Sequence, residues 1–517
     1  MSTQAFELNQ PEKELVGQLA DLLSLGKREV WTGHVTYYDT FDWRLFRSGW
    51  TLVTETSPSA QWLILSSLQE ERAYRSRLEQ RPGFSESLPD GMVRTELEPV
   101  LKIRRLLPLV EIRCSRRTFR LLDTEKKTLA YLHFVRGKVR KPGSRRYAGE
   151  LPASFELEPV TGYLEEFAQL KSTIEGLNPL VPIPSLLDQS LNFLGRAPLD
   201  YSSKVSIELA AEMSAGEAVR QVYQTLLGTV LANESGTRAD LDSEFLHDFR
   251  VAIRRTRAAL TQIKGVIPQE VTDHFKREFS WLGRVTGPTR DMDVYLLEYP
   301  KFVSDLPPEV GLELQPLKSF LTEHHRTEQE LLVRALNSRR YRRLVQDWKT
   351  FLESSAGNGE TAPNAGVPVR EVASGRIWRV FRRIVKKGNR IDDSSPADAL
   401  HEVRLDCKKL RYLLEFFTSL YDSDQMKQLI KALKVLQDNL GEFNDCQVQQ
   451  EKLKEFAEQM MAEGSVGSET LLAMGRLVER LDQRQLSLRS QFSQRFESFA
   501  SGSNVECFRT LFAATEG

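Results

Sequence analysis

Cysteine is scarce in this chain, with four in 517 residues. Cys114, Cys407, Cys446 and Cys507 are scattered, with neither metal-ligand spacing nor the framework of a small disulfide protein. Long hydrophobic runs are missing too. No stretch nears the roughly 18 uncharged apolar residues that a membrane helix needs, so no membrane partner is expected. The opening Met-Ser-Thr-Gln-Ala-Phe-Glu-Leu lacks the basic start and apolar run of a secretory leader. A reduced, cytoplasmic setting is the expectation from these absences. Net charge is absent as well: 71 Lys and Arg balance 71 Asp and Glu. Attraction of the whole molecule to a polyanion is thereby excluded, and any such affinity must come from charge segregated locally.

What is present is ordinary for a globular protein, 40% apolar and 27% charged residues. At roughly 150 residues per domain the length predicts two to four domain-sized units. Residues 1–200 mix short β-rich runs (Trp50–Val53, Trp62–Leu65, Leu109–Arg113, Phe155–Glu158) with turn clusters such as Arg81-Pro82-Gly83 and Lys141-Pro142-Gly143. Helical stretches flank them near Lys13–Leu25 and Leu164–Glu175. The pattern predicts an α+β domain with an antiparallel sheet. Beyond it the period changes to 3.6, which predicts an all-α region. A Gly-rich polar stretch at 354–369 reads as a flexible loop. It separates one helical bundle at 206–353 from a second at 370–515.

The two helical parts resemble each other. A shift of 154 positions aligns Leu246–Val294 with Leu400–Val448 without a gap, and about nine of the 49 pairs are identical. Among them are His247/His401, Arg250/Arg404, Arg257/Arg411, Gly287/Gly441 and Asp291/Asp445. Arg254/Lys408 and Arg255/Lys409 keep their charge. On a helical wheel with His247 at zero, Arg250, Arg254 and Arg257 fall within about 80° of it, beside an apolar face of Leu246, Phe249, Ile253 and Leu260. His401, Arg404, Lys408 and Arg411 repeat that geometry. A third basic row, Arg376, Arg379, Arg382, Arg383, Lys386, Lys387 and Arg390, precedes the second copy. From Tyr201 onward 44 basic residues meet 45 acidic ones, so the charge is sorted by face and not by domain.

Any single row reads as solvated helix surface. Recurrence in two copies, a histidine opening each row, and no acid at i+4 within the rows favour a cleft that takes a linear polyanion. Asp291 and Asp445 each follow a glycine by four residues at an expected helix start, where an acid caps amides or orients a row arginine. Asp291 and Asp293 together are weak ground for a metal site.

The segments Phe245–Arg257 and Leu400–Tyr412, with Gly287–Val294 and Gly441–Asp445, strongly resemble the paired signatures of the CHAD family, the "conserved histidine α-helical domain". The resemblance covers about residues 206–515. It implies two pseudo-symmetric four-helix bundles and a basic groove that binds inorganic polyphosphate, with a place at polyphosphate granules. The residues expected to bind are His247, Arg250, Arg254, Arg255, Arg257, Arg376, Arg379, Arg383, Lys386, His401, Arg404, Lys408, Lys409 and Arg411. Affinity is expected to rise as pH falls through about 6.5, where histidine gains charge. Nucleic acid is not expected, because the aromatic residues fall on core faces and leave base stacking unprovided for.

The first half resembles a CYTH domain through Tyr37–Leu52 and Phe155–Glu158, which implies an antiparallel β tunnel. An active member binds a triphosphate with Arg and Lys and holds Mg or Mn with carboxylates. Here Phe6-Glu7-Leu8-Asn9-Gln10 stands where Glu-x-Glu-x-Lys is expected, Val53-Thr54-Glu55 where arginines are expected, and Ser66-Ser67 where a lysine is expected. Arg104, Arg113, Arg116, Glu111, Glu156 and Glu158 are what could remain of a tunnel. The expectation is a degenerate domain with no catalytic residue and no cofactor. Mg or Mn enters only under the alternative of a metal-dependent triphosphatase acting on tripolyphosphate or an organic triphosphate.

Overall fold

The structure, a computed structural model, describes residues 4–70, 72–123, 125–160, 162–204, 207–354, 362–392 and 394–513. The chain forms two compact units, Met1–Ser203 and Lys204–Gly517. In the first, the order is β1 (Gln4–Glu7), α1 (Glu12–Leu22), β2 (Ser24–Leu25), β3 (Glu29–Asp39), α2 (Arg44–Arg47), β4 (Trp50–Thr56), β5 (Gln61–Ser67), β6 (Ala73–Arg77), α3 (Met92–Leu101), β7 (Leu107–Leu122), β8 (Thr128–Arg140), β9 (Gly149–Glu150), β10 (Ser154–Pro159), α4 (Leu164–Leu177) and α5 (Leu186–Phe193). The expected helix at Lys13–Leu25 stops at Leu22, and Ser24–Leu25 pairs with β7 instead.

The strands make one antiparallel sheet in the order β1-β10-β8-β7-β3-β4-β5-β6. Alternation along the strands sends side chains to two faces. One face packs Leu121, Leu132, Phe134, Phe155 and Leu157 under α1 and α4, and Leu52, Leu63 and Leu65 under α3. The other carries Val35, Ile112, Cys114 and Val139, which α5 covers with Leu187 and Leu191.

The second unit is helical: α6 (Ala215–Arg238), α7 (Ser243–Gln262), α8 (Gln269–Val285), α9 (Gly287–Ser304), α10 (Pro308–Leu312), α11 (Gln315–Leu336), α12 (Arg339–Glu353), α13 (Val369–Gly388), α14 (Ala397–Phe416), α15 (Ser423–Ala462), α16 (Ser468–Phe499) and α17 (Gly502–Phe512). The starts of α6, α7 and α8 recur 154 residues later as the starts of α13, α14 and α15, and α7 and α14 are both 20 residues long. The duplication seen in the sequence is therefore a duplication of structure. Local signals set the starts: a Ser214–Glu217 capping box opens α6, and Asp242 and Asp422 cap α7 and α15.

The copies differ at one point. Pro288 stands just inside α9 and supplies no backbone N–H, so the first copy breaks between Val285 and Gly287. Glu442 stands at the matching place, and α15 runs unbroken for 40 residues. Asp445 consequently lies within a helix, not at the helix start expected for it. The two copies share one continuous core, in which Phe249, Ile253 and Trp348 belong to the same apolar cluster as Phe381, Leu410 and Leu433. A second cluster joins α9 and α11 to α15 and α16 through Tyr295, Phe320, Phe456 and Leu477.

Of the expected flexible loop, 355–361 lie outside the described residues. Residues 362–368 are tied down: Asn364 N donates to Gly265 O, Gly216 N to Ala365 O and Ala215 N to Val367 O. Residues 514 and 515, at the expected end of the second bundle, also lie outside the described residues.

Candidate functional site

The amphipathic pattern of α7 and α14 packs Leu246, Phe249 and Ile253 on one, and Leu400, Val403 and Cys407 on the other, into the shared core. The two helices contact each other. Arg254 and Lys408, the same position in the two copies, lie near enough to act on one another's charge. A residue meets its own mate only beside the axis that relates them, so the two rows converge at the pseudo-two-fold. Burial, together with the cations Arg404 and Arg254, pushes the Lys408 ammonium down to about 8, and only Asp445 opposes this. Among the described residues Arg254, Arg257 and Lys408 have no ion-pair partner.

Each histidine is oriented by matching residues. His247 Nδ1 accepts from Arg290 Nη2 at 3.1 Å, and His401 Nδ1 lies 2.6 Å from Asn444 Oδ1. Arg290 and Asn444 are again 154 apart. A guanidinium can only donate, so Nδ1 of His247 carries the lone pair and the ring's own N–H sits on Nε2. Arg290 also donates to Ser243 O at 3.0 Å and lies 3.7 Å from Asp293, which His325 Nε2 meets at 2.9 Å. Asp293 is thereby engaged by both Arg290 and His325.

The equivalent arginines differ. Arg250 Nη1 donates to Gly283 O at 3.0 Å and Thr286 Oγ1 at 2.8 Å, using acceptors that the helix break sets free. Burial is the main cause that holds its guanidinium below the usual range. Arg404 instead donates to Asp445 Oδ1 at 2.9 Å.

Other expected residues are engaged elsewhere. Arg383 makes two bonds to Asp406, at 2.9 and 2.8 Å, and Lys387 and Lys409 reach the same carboxylate at 3.1 and 2.9 Å. Arg255 and Arg411 both bind Glu415 at 2.7 Å. The Arg411 pair is of the i,i+4 kind, which corrects the expectation that the rows contain none. Arg376 donates to Gln262 Oε1 at 2.6 Å and, with the exposed Arg379, lines a cavity of about 240 Å³ beside Lys264 and Asn364. Lys386 is exposed on α13. The structure thus brings Arg254, Arg404 and Lys408 together where α7 meets α14, a contact that the Arg255–Glu415 pair, shared with Arg411, also spans, while His247, Arg250, Arg257 and His401 lie on the same two helices. Arg383 and Lys409 sit at the Asp406 hub, and Arg376 and Arg379 at the separate cavity. Arg290 and Asn444 were legible only as a spacing: each stands 43 residues after its histidine.

In the first unit the expected tunnel residues divide. Arg116 pairs with Glu55 at 3.3 Å and also feels Glu156. Strand alternation puts Glu111 and Arg113 on the opposite face, where Glu111 pairs with Arg140 at 2.7 Å. Glu158 pairs with His133 at 2.9 Å. Arg104 is 1% exposed and lies 3.4 Å from Asp42. Glu55 and Glu156 thus both act on Arg116, whereas Glu111 and Glu158 have partners of their own.

Residues 221–454, within the helical unit, match the family model of the CHAD domain. Two uncharacterized proteins of Mycobacterium tuberculosis strains are 26% identical to the chain over 299 residues. That match covers 55% of this chain, which spans about half the length of these curated relatives, 56%. The crystal structure of a CHAD domain from Ricinus communis is 27% identical, covering 57% of this chain and 95% of that one, with a TM-score of 0.48. The N-terminal region resembles a Hippeastrum protein described as an adenylyl cyclase with a dominant triphosphatase activity. That likeness is 15% identical, covers 39% of this chain and 99% of that one, and has a TM-score of 0.27.

Proposed function

We propose that the helical unit binds inorganic polyphosphate in the cleft where α7 and α14 meet, and that it does so without catalysis. The observation that carries this reading is the meeting of Arg254 and Lys408, where burial and like charge hold a lysine down to about 8. Cations pressed together with too little acid beside them cost stability unless an anion joins them. A chain of phosphates supplies closely spaced negative oxygens, which arginine binds through its planar fork and lysine as a point charge. His247 adds its Nε2–H as a donor. A role at polyphosphate granules in the cytoplasm is part of the proposal.

The test is titration of the full chain with long-chain polyphosphate at low and high salt. Binding is expected to weaken steeply with salt, as for other multi-phosphate contacts. Reversing both charges, Arg254→Glu with Lys408→Glu, is expected to cost at least about a hundredfold in affinity, since each charged contact is worth about tenfold. Unchanged affinity would overturn the reading.

In the first unit, Arg116, Glu55 and Glu156 are what a triphosphatase reading would rest on. Leu187 and Leu191 of α5 cover the apolar middle of that same face, and the carboxylates there pair with cations of the chain itself. The expected outcome with tripolyphosphate and Mg²⁺ or Mn²⁺ is no release of phosphate. Release that Glu156→Ala abolishes would reverse this part of the reading.

A further inference from the structure

The two cleft helices are matched in position and unmatched in charge. On α7, Arg250 spends its hydrogen bonds on neutral acceptors, Gly283 O and Thr286 Oγ1. On α14, its mate Arg404 is bound to Asp445. Arg257 has no ion pair among the described residues, and an added Cβ on Gly283 would lie 3.2 Å from its Nη1, so it rests on α8 where no side chain intervenes. Its mate Arg411 is bound to Glu415. At the pseudo-two-fold, Arg254 and Lys408 both lack an ion pair among the described residues, although Asp445 acts on Lys408. Among the described residues the first copy thus offers three row cations without an ion pair, Arg250 feeling Asp291 only at a distance, and the second offers one.

A cation already paired inside the protein brings less to an incoming anion. Either its carboxylate must be displaced or the anion must approach that carboxylate, and fewer counterions are released. Resting on the polyphosphate reading above, we propose that the cleft is electrostatically one-sided. The phosphate chain is held by Arg250, Arg254 and Arg257 of the first copy with Lys408 from the second. Arg404 and Arg411 are held in reserve by Asp445 and Glu415 and contribute little affinity. The near-symmetry of the fold then conceals a binding track laid along one helix.

Matched substitutions in the full chain test this at fixed pH, by titration with inorganic polyphosphate over a salt series. Arg257→Gln is expected to weaken binding about tenfold and to flatten the slope of log affinity against log salt by about 0.7. Arg411→Gln is expected to change affinity less than about twofold, because its charge is already spoken for. Glu415→Gln provides the decisive arm. It releases Arg411 from its ion pair and should tighten binding several-fold while steepening the salt slope. A merely structural glutamate would not produce that gain. Equal losses from Arg257→Gln and Arg411→Gln, or weaker binding by Glu415→Gln with the fold intact by circular dichroism, would overturn the one-sided cleft while leaving polyphosphate binding in place. Absence of binding by the unaltered chain would overturn both.

Discussion

Lys408 is a lysine whose charge depends on company. In the free protein it loses its proton near pH 8 because burial and two arginines oppose the ammonium. A bound polyanion favours the charged form, so binding above pH 8 must draw a proton from solution. Affinity is therefore expected to fall as pH rises from about 8 towards 10, and Lys408→Arg, which stays protonated, should abolish that fall. The same residue bears on folding with the opposite sign: its native value lies below the unfolded one, so its contribution to stability grows as pH rises from about 8 to 10.4. His325 behaves differently, since its hydrogen bond to Asp293 raises its pKa. Its contribution to stability is fully present below the unfolded value near 6.5 and is lost as pH rises through the native one. Chemical denaturation of His325→Gln at pH 6 and at pH 8 checks this; the loss should be larger at pH 6.

At the scale of elements, the helix break between α8 and α9 is where the first copy gains an arginine bonded to neutral acceptors. Pro288 opens the helix, Thr286 and the Gly283 carbonyl become available, and Arg250 satisfies them at what is electrically the negative end of α8. Thr286→Val is isosteric and removes one acceptor from a half-buried guanidinium. It should cost about 1–3 kcal/mol of stability, read by thermal or urea unfolding. Much of this was legible beforehand. The 154-residue offset, the apolar faces and the histidine-led rows are written in local spacing, and Pro288 announces its break. Arg411–Glu415 was legible too, four residues apart on one helix. Asp406 was not, because it gathers Arg383 and Lys387 from α13 across to α14, and sequence spacing says nothing about which helices become neighbours. Nor was the cover that α5 lays over Ile112 and Cys114, since an apolar helix reads the same whichever face it joins.

For the helical unit as a whole, the decisive property is that neither copy owns a core. Phe249 and Trp348 share their cluster with Phe381 and Leu410, so a fragment ending before Val369 would leave a large apolar surface open. Such a fragment is expected to remain unfolded or to aggregate, and the full unit to lose both copies in one cooperative transition; hydrogen exchange resolved by segment would register this as similar protection in α7 and α14. Close packing between helices sets a further limit. An added Cβ on Gly236 would lie 2.2 Å from Phe245 Cδ1, so Gly236→Ala should cost about 1–3 kcal/mol through overpacking.

The uneven treatment of one long helix has a mechanical meaning. In the second copy α15 is a single unbroken strut, whereas its counterpart is two shorter rods meeting at a joint, with the Arg250 side chain pinned across it. Thermal motion should find that joint first, so amide protons around 284–288 are expected to exchange ahead of those around 438–442 and to slow when an anion occupies the neighbouring arginines. One copy is then built to yield and the other to hold it in register.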